Sequence, residues 1–201
     1  MAQSLLRIGA VAVLPLVLSA CVSLGGGGGK APLSLLTLTP LQSVPAGTMA
    51  SATADQAIMV MEPETDAHLA VLRIPVQVDD ANIAYLQGAT WAERPARLFR
   101  ALLAETLRVK TGRLVVEDSQ SSVPVTGTRL SGRLITMGYD ARSGSVVVRY
   151  DAMKTGPKGE LLTKRFESVV PSVAPLPAEV GPALNKAAND VAGQVAEWMA
   201  L

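Results

Sequence analysis

Apolar residues recur at helical spacing in two separate parts of the chain. Residues 93–110 and residues 178–201 each place apolar side chains three or four positions apart, the spacing of one helix face. Pro95 stands where the first turn of a helix tolerates proline, and Gly112 stands where a helix C-terminus favours glycine. We therefore predict two amphipathic helices. Their buried stripes are Leu98, Phe99, Leu102, Leu103, Thr106 and Leu107 in the first, and Val180, Leu184, Ala187, Val191, Val195 and Trp198 in the second.

The other apolar segments have the length and the alternation of β-strands. Residues 126–140, 145–154 and 160–170 are separated by turn-forming stretches at 141–144 and 156–159, which predicts an antiparallel meander. The side chains expected to share one face are Leu130, Leu134 and Thr136 in the first strand, and Val146, Val148, Tyr150 and Ala152 in the second. Shorter strands are expected within residues 31–40, 57–63, 69–80, 82–91 and 113–118.

The order of these segments is strands, a helix, one strand, the meander and a second helix. This order predicts an α+β fold in which both amphipathic helices pack on one face of a mostly antiparallel sheet. Residues 31–201 are enough for one domain with a substantial core, so we expect a single α+β domain there.

The first twenty residues have the layout of a bacterial export signal. Arg7 is the only charged side chain, an apolar run covers residues 8–18, and the small residues Ser19 and Ala20 follow. A transmembrane anchor is the alternative, but a span needs about 20 apolar residues and Pro15 interrupts this run. We predict a signal peptide over residues 1–20.

The only cysteine, Cys21, follows this signal directly. Residues 18–21, Leu-Ser-Ala-Cys, resemble the lipobox of bacterial lipoproteins, and this resemblance implies that Cys21 carries lipid, including palmitate, on its sulfur and amino group. A buried structural cysteine is the alternative, and it does not explain the flanking residues. Five glycines stand before Lys30, so we expect residues 21–30 to consist of the lipidated cysteine and a flexible tether. Fully extended, residues 22–30 reach at most about 30 Å. The run is not a phosphate loop, because Leu24 and Ala31 stand where that motif needs glycine and serine or threonine.

Composition excludes several classes of function. Without the first twenty residues, the chain has 17 basic and 17 acidic side chains, whereas nucleic-acid binders need a basic patch. The single His68 has no second histidine or cysteine near it, which argues against a metal site and a serine triad. The pair Asp79 and Asp80 is best read as a turn. We expect no enzyme activity, no catalytic residues, no cofactor and no metal. The charged residues of the first helix are expected to form a solvated face: Arg94, Arg97, Arg100, Glu105 and Arg108.

Several motifs together resemble one family, the ABC-type transport auxiliary lipoproteins, which include the lipoprotein of the paraquat-inducible system. After the lipobox, residues 36–40 match its opening of Tyr or Leu followed by x-Leu-x-Pro, and residues 91–93 give Trp-Ala-Glu before an amphipathic helix. A β meander and a closing helix follow, so the resemblance covers nearly all of the mature chain. It implies a non-catalytic subunit of a lipid transport system. Cys21 is the only functional residue that it transfers to this sequence.

The resemblance also implies a location and partners. Such lipoproteins sit on the periplasmic face of the outer membrane and dock a periplasm-spanning mammalian-cell-entry (MCE) protein, which connects to an ABC permease and ATPase. Val22 replaces the aspartate that would retain a lipoprotein at the inner membrane, so we expect the outer membrane. The alternative function is a periplasmic lipid carrier that holds an acyl chain between sheet and helices. Assembly as a homo-oligomer stays open, and no nucleic-acid partner is expected.

Overall fold

The computed structural model describes residues 34–118 and 124–201, which belong to one compact unit. The predicted signal peptide, Cys21 and the tether lie outside the described residues. The elements, in chain order, are β1 (Leu35–Leu36), β2 (Ile58–Val60), β3 (Glu64–Thr65), β4 (Pro75–Gln77), β5 (Ile83–Tyr85), β6 (Thr90–Trp91), α1 (Pro95–Thr111), β7 (Val115–Glu117), β8 (Thr128–Asp140), β9 (Ser145–Thr155), β10 (Leu161–Val170) and α2 (Pro177–Ala200).

Both helices occupy the predicted segments. α1 begins with Pro95 in its first turn and is capped at its C-terminus by Gly112, whose φ of 63° is the left-handed conformation that glycine adopts without strain. α2 begins with Pro177. Proline has no backbone N–H group, and the first turn of a helix leaves its N–H groups without a helical partner, so proline is tolerated there. Most of each predicted stripe is buried, and Leu98, Thr106 and Trp198 are partly exposed at its margins. The sequence period therefore identified the faces that pack on the sheet.

The main sheet has the strand order β10-β9-β8-β2-β7, with the short strands β3 and β4 also paired to β8. The meander β8-β9-β10 is antiparallel, as predicted. The prediction of a mostly antiparallel sheet is wrong, however, because β2, β3 and β4 all pair parallel to β8, and β2 is also parallel to β7. The sheet is mixed. Parallel pairing follows from long crossovers, one of which contains α1 between β2 and β7, and local alternation does not reveal it.

A β-bulge in β8 changes which side chains face the helices. Leu134 pairs with Tyr150 while Thr136 pairs with Arg149, so Ile135 is an extra residue in this strand. The extra residue turns Met137 and Tyr139 inward, where both are buried. Thr136 therefore lies on the opposite face from Leu134, and the prediction that they share one face is wrong.

The core lies between the two helices and one face of the sheet. α2 covers β9 and β10, and α1 covers β2 and β7. Phe99 of α1 meets Tyr150 of β9 edge to face, with 5.3 Å between ring centres, and burial raises the pKa of the Tyr150 hydroxyl. Gly132 leaves space beside this ring, because a Cβ there would stand 2.9 Å from the Tyr150 hydroxyl oxygen. Among the described residues, neither helix is both long and apolar enough to cross a bilayer.

Candidate docking surface

The structure brings the two family-like motifs of the sequence into contact. Leu36, from the x-Leu-x-Pro opening, is the parallel partner of Trp91 from Trp-Ala-Glu, and the Ala92 amide donates to the Leu36 carbonyl at 2.8 Å. The Trp91 ring is 1% exposed. The side chain of Leu36 points at Gly181 of α2, where an added Cβ would stand 2.8 Å from a Leu36 methyl. The motifs therefore fix the start of the domain to the first turns of both helices.

Residues 36–44, here called the strap, continue across the outer side of the helices. The side-chain amide oxygen of Asn185 accepts a hydrogen bond from the Thr39 backbone amide at 2.8 Å. Asn189 accepts one from the Leu41 amide at 3.0 Å and donates one to the Thr39 carbonyl at 2.9 Å. Further along, a Glu105 carboxylate oxygen accepts from the Val44 amide at 2.7 Å. Side chains of both helices thus hold the strap by its backbone, which makes it part of the domain.

The helix layer has a groove of about 590 Å³ that borders the strap at Leu41 and crosses α2 at Gly193. Polar and apolar side chains both line it, among them Val109 and Lys110 of α1 and Asp190 of α2. It is open to solvent at the surface. The groove differs from the enclosed apolar cavities that hold small ligands.

The side of β8-β9-β10 that faces away from the helices, here called the open face, carries charged side chains in rows. Arg165 of β10 lies opposite Asp151 of β9 and donates two hydrogen bonds to its carboxylate, both of 2.6 Å. These bonds hold the pKa of Asp151 below its usual range. In the neighbouring row, Arg149 pairs with Glu167. Opposite charges in direct cross-strand positions give this face a definite pattern although the whole chain is nearly neutral.

The β8–β9 turn continues this charged surface. Arg142 donates to both carboxylate oxygens of Asp140, at 2.9 and 2.6 Å, which lowers the pKa of Asp140. Beside it lies a hollow of about 220 Å³ whose lining includes His68 and Arg149. Asp79 forms the predicted turn, since its carboxylate accepts from the amides of Ala81 and Asn82 at 2.9 Å. No cluster of three or more potential metal ligands occurs among the described residues.

One charged cluster is a correction to the predicted solvated face of α1. Arg100 is only 11% exposed and pairs with Glu117 at 3.1 Å, Asp118 at 2.7 Å and Glu62 at 3.4 Å. Arg108 adds a second contact to Glu117 at 3.4 Å. These ion pairs connect α1 to β7, so part of the predicted solvated face is an interface within the fold. The signal available in the sequence was the acidic pair at the end of the β7 segment.

Solved structures resemble the domain, two of them over most of their own length. Protein XCC0632 from Xanthomonas campestris has a TM-score of 0.67 at 15% identity, and the match covers 83% of this chain and 94% of that one. The crystal structure of an uncharacterized protein has a TM-score of 0.63 at 14% identity, with coverage of 83% and 99%. At these identities the likeness shows the fold alone. No protein of curated function matches the sequence.

The family assignment rests on the sequence as a whole. The model of the ABC-type transport auxiliary lipoprotein component matches residues 37–196, from the strap to the last turns of α2. This range contains the Trp-Ala-Glu motif, α1, the meander and most of α2. The chain therefore belongs to the family of ABC-type transport auxiliary lipoproteins.

Proposed function

We propose that this chain is a non-catalytic outer-membrane subunit of a lipid transport system, and that it docks a periplasm-spanning MCE-type component through the open face. Family membership supports a role as an auxiliary transport component. The observation that carries the docking role is that both helices pack on the same side of the sheet, α2 on β9 and β10 and α1 on β2 and β7, with Phe99 of α1 against Tyr150 of β9. The other side keeps an ordered, exposed pattern of charges that packing within the domain does not need.

The packing between sheet and helices favours docking over the lipid-carrier alternative. A carrier needs an apolar cavity of several hundred Å³ in this layer. Here the space between sheet and helices is filled by side chains that are at most 2% exposed, among them Leu102, Leu184, Val148 and Tyr150. The groove at Gly193 and the hollow beside His68 both lie at the surface. An acyl chain could enter the core only if these side chains moved apart.

The open face suits recognition by local charge and shape. A nearly neutral chain has little long-range attraction for a partner, so specificity must come from the arrangement of groups within the contact. An interface of ordinary size covers about 800 Å² on each partner. The outer sides of three strands of 10 to 13 residues offer a surface of that order.

Photo-crosslinking in cells tests the docking surface. A photoreactive amino acid at Arg133, an exposed residue of β8 on the open face, should crosslink to the MCE-type component. The matched control is Glu179, an exposed residue of the first turn of α2, which should give no such product. Recovery of the same partner from both positions, or from Glu179 alone, would contradict docking through the open face. Stoichiometric phospholipid in the purified protein, with no transport component crosslinked, would support the carrier instead.

The anchor is a separate proposal with its own test. Lipid on Cys21 should hold the protein on the membrane, because each buried methylene contributes about 0.8 kcal/mol and stable attachment takes about two chains. Cys21→Ser should release the protein into the soluble periplasmic fraction. On a sucrose gradient, the wild-type protein should follow outer-membrane markers. Migration with inner-membrane markers would overturn the location without affecting the anchor.

A further inference from the structure

Strand β10 has a long free edge that docking through the open face leaves unused. In the part of the chain that the structure describes, β10 pairs with β9 alone and ends the strand order. It is ten residues long, and its first five residues are all exposed. Such an edge presents unpaired backbone donors and acceptors, so it can pair with one more strand.

The charges near this edge alternate in sign from strand to strand. One row on the open face runs from Arg133 of β8 through Asp151 of β9 to Arg165 of β10. The next row ends with Arg149 of β9 and Glu167 of β10. Charged residues on an edge often prevent pairing, but here the two edge residues have opposite signs and lie two positions apart. That spacing makes the edge complementary to itself.

We infer that β10 pairs antiparallel with β10 of a second copy of this chain, about a two-fold axis at Phe166. In this register, Arg165 lies opposite the second copy's Glu167, and Glu167 lies opposite its Arg165. Each row of alternating charge then continues across the interface. It runs from Asp151 (negative) and Arg165 (positive) of one chain to Glu167 (negative) and Arg149 (positive) of the second copy. Cross-strand pairs of opposite charge stabilise such a ladder. A register centred on Arg165 would place like charges opposite each other, so the charges select one register.

The helix-covered side of the same edge is also complementary in this register. Lys164 lies opposite the second copy's Ser168. Within each chain, the Ser168 hydroxyl donates to Asp190 of α2 at 3.1 Å, which places that carboxylate beside this position. The Lys164 ammonium can therefore reach the second copy's Asp190. The two-fold axis repeats this contact.

Exposed apolar residues lie at both ends of the edge strand. Leu161, Leu162 and Val169 are 64%, 53% and 48% exposed in the single chain. In the pairing centred on Phe166, Leu162 lies opposite Val170 and Val169 lies opposite Thr163 of the second copy. The paired chains share one continuous sheet with both open faces on the same side. This assembly does not depend on the identity of the docking partner, so either proposal can fail alone.

Mixing two charge variants tests the pairing. Full-length wild-type protein in detergent should be dimeric by native mass spectrometry. Arg165→Glu alone places glutamate opposite Glu167 twice, and Glu167→Arg alone places arginine opposite Arg165 twice, so each should weaken the dimer about tenfold or more. An equal mixture of the two variants restores both pairs of opposite charge. It should form a heterodimer, identified by its intermediate mass.

The mixture is also a control for folding. A variant that is monomeric because it is misfolded would stay monomeric in the mixture, whereas a folded variant would form the heterodimer. Circular dichroism should show both variants folded. Arg133→Glu, on the open face but two strands from the edge, should leave the dimer intact. A monomeric wild-type protein, variants that dimerise as strongly as wild type, or a mixture that stays monomeric would each overturn the pairing. If the wild-type protein is monomeric, the β10 edge remains available for pairing with a strand of another protein.

Discussion

The two faces of the meander are built from the same strands, yet packing closes only one of them. β9 sends Val146, Val148 and Tyr150 to the helices, where they are fully buried. Between them, Arg149 and Asp151 point to the open face, where their side chains are 37% and 38% exposed. The alternation of a strand thus separates two tasks along one stretch of sequence. Burial on one face supplies stability, and charge on the other is available for recognition.

The largest test of this contrast is truncation on the covered face. Leu184→Ala and Leu102→Ala remove side chains that are 0% and 2% exposed, and each should lower the free energy of unfolding by about 2–5 kcal/mol because a cavity remains. Met49→Ala, at 94% exposure and away from every proposed contact surface, is the control and should change it by less than about 0.5 kcal/mol. Urea unfolding measures all three. A loss under about 1 kcal/mol at both core sites would mean that these stripes face something other than the sheet.

The outer side of the helix layer gives the next effect. Asn189 is 6% exposed and makes two of the hydrogen bonds that hold the strap. Asn189→Ala leaves backbone groups of the strap unpaired and should cost about 1–3 kcal/mol. Hydrogen exchange at the Leu41 amide should become faster. Gln194→Ala, an exposed neighbour on α2 whose side chain donates to the Glu167 carbonyl instead of to the strap, should leave that exchange unchanged. Equal exchange in both variants would show that Asn189 does not hold the strap.

Sequence patterns were enough to predict the packed face of the meander and the helices that cover it. The helical period located α1 and α2, and the stripe residues Leu102 and Leu184 pack as their spacing indicates. Turn-forming residues at 141–144 and 156–159 located the meander. These features could be predicted because each depends on residues close together in the chain.

The missed features depend on residues far apart in the chain. Parallel pairing of β2 with β7 and β8 is set by the path of the crossovers. The extra residue Ile135 reverses the faces of the rest of β8, although the local alternation looks unbroken. A polar residue such as Asn189 is expected on the solvated side of a helix, but it is covered by the strap, where Thr39 lies 150 positions away in sequence. Sequence analysis alone therefore could not assemble the surfaces proposed for docking.

A pair of glycines in α2 sharpens the distinction between packed and free surface. Gly193 has no atom within 4 Å of an added Cβ, so Gly193→Ala should stabilise the protein by about 0.5–1 kcal/mol through better helix propensity. At Gly181 the Cβ would stand 2.8 Å from Leu36, so the same change should gain less or destabilise. Thermal unfolding compares the two. An equal gain at both positions would show that Leu36 does not restrict Gly181.

The smallest expected effect lies on the open face. Arg165→Gln removes the main cause of the lowered pKa of Asp151, so this pKa should rise toward its usual value. A depressed carboxylate pKa adds stability above the unfolded-state pKa of about 3.9, and that stability is lost as pH falls through the folded-state value. The difference between wild type and variant should therefore be present at neutral pH and vanish in acid. Carboxylate NMR titration measures the shift, with Asp140 as an unchanged control. An unmoved Asp151 pKa would show that Arg165 does not stabilise this carboxylate.

The strap also determines where mechanical load enters the domain. Any pull on the chain ahead of Ser34 reaches β1 first, and β1 passes it to Trp91 and Ala92, just before α1 begins. Load that passes this point meets Asn185 and Asn189 on α2. Both helices thus take up the force before the meander does. The open face can therefore stay undistorted under such a load.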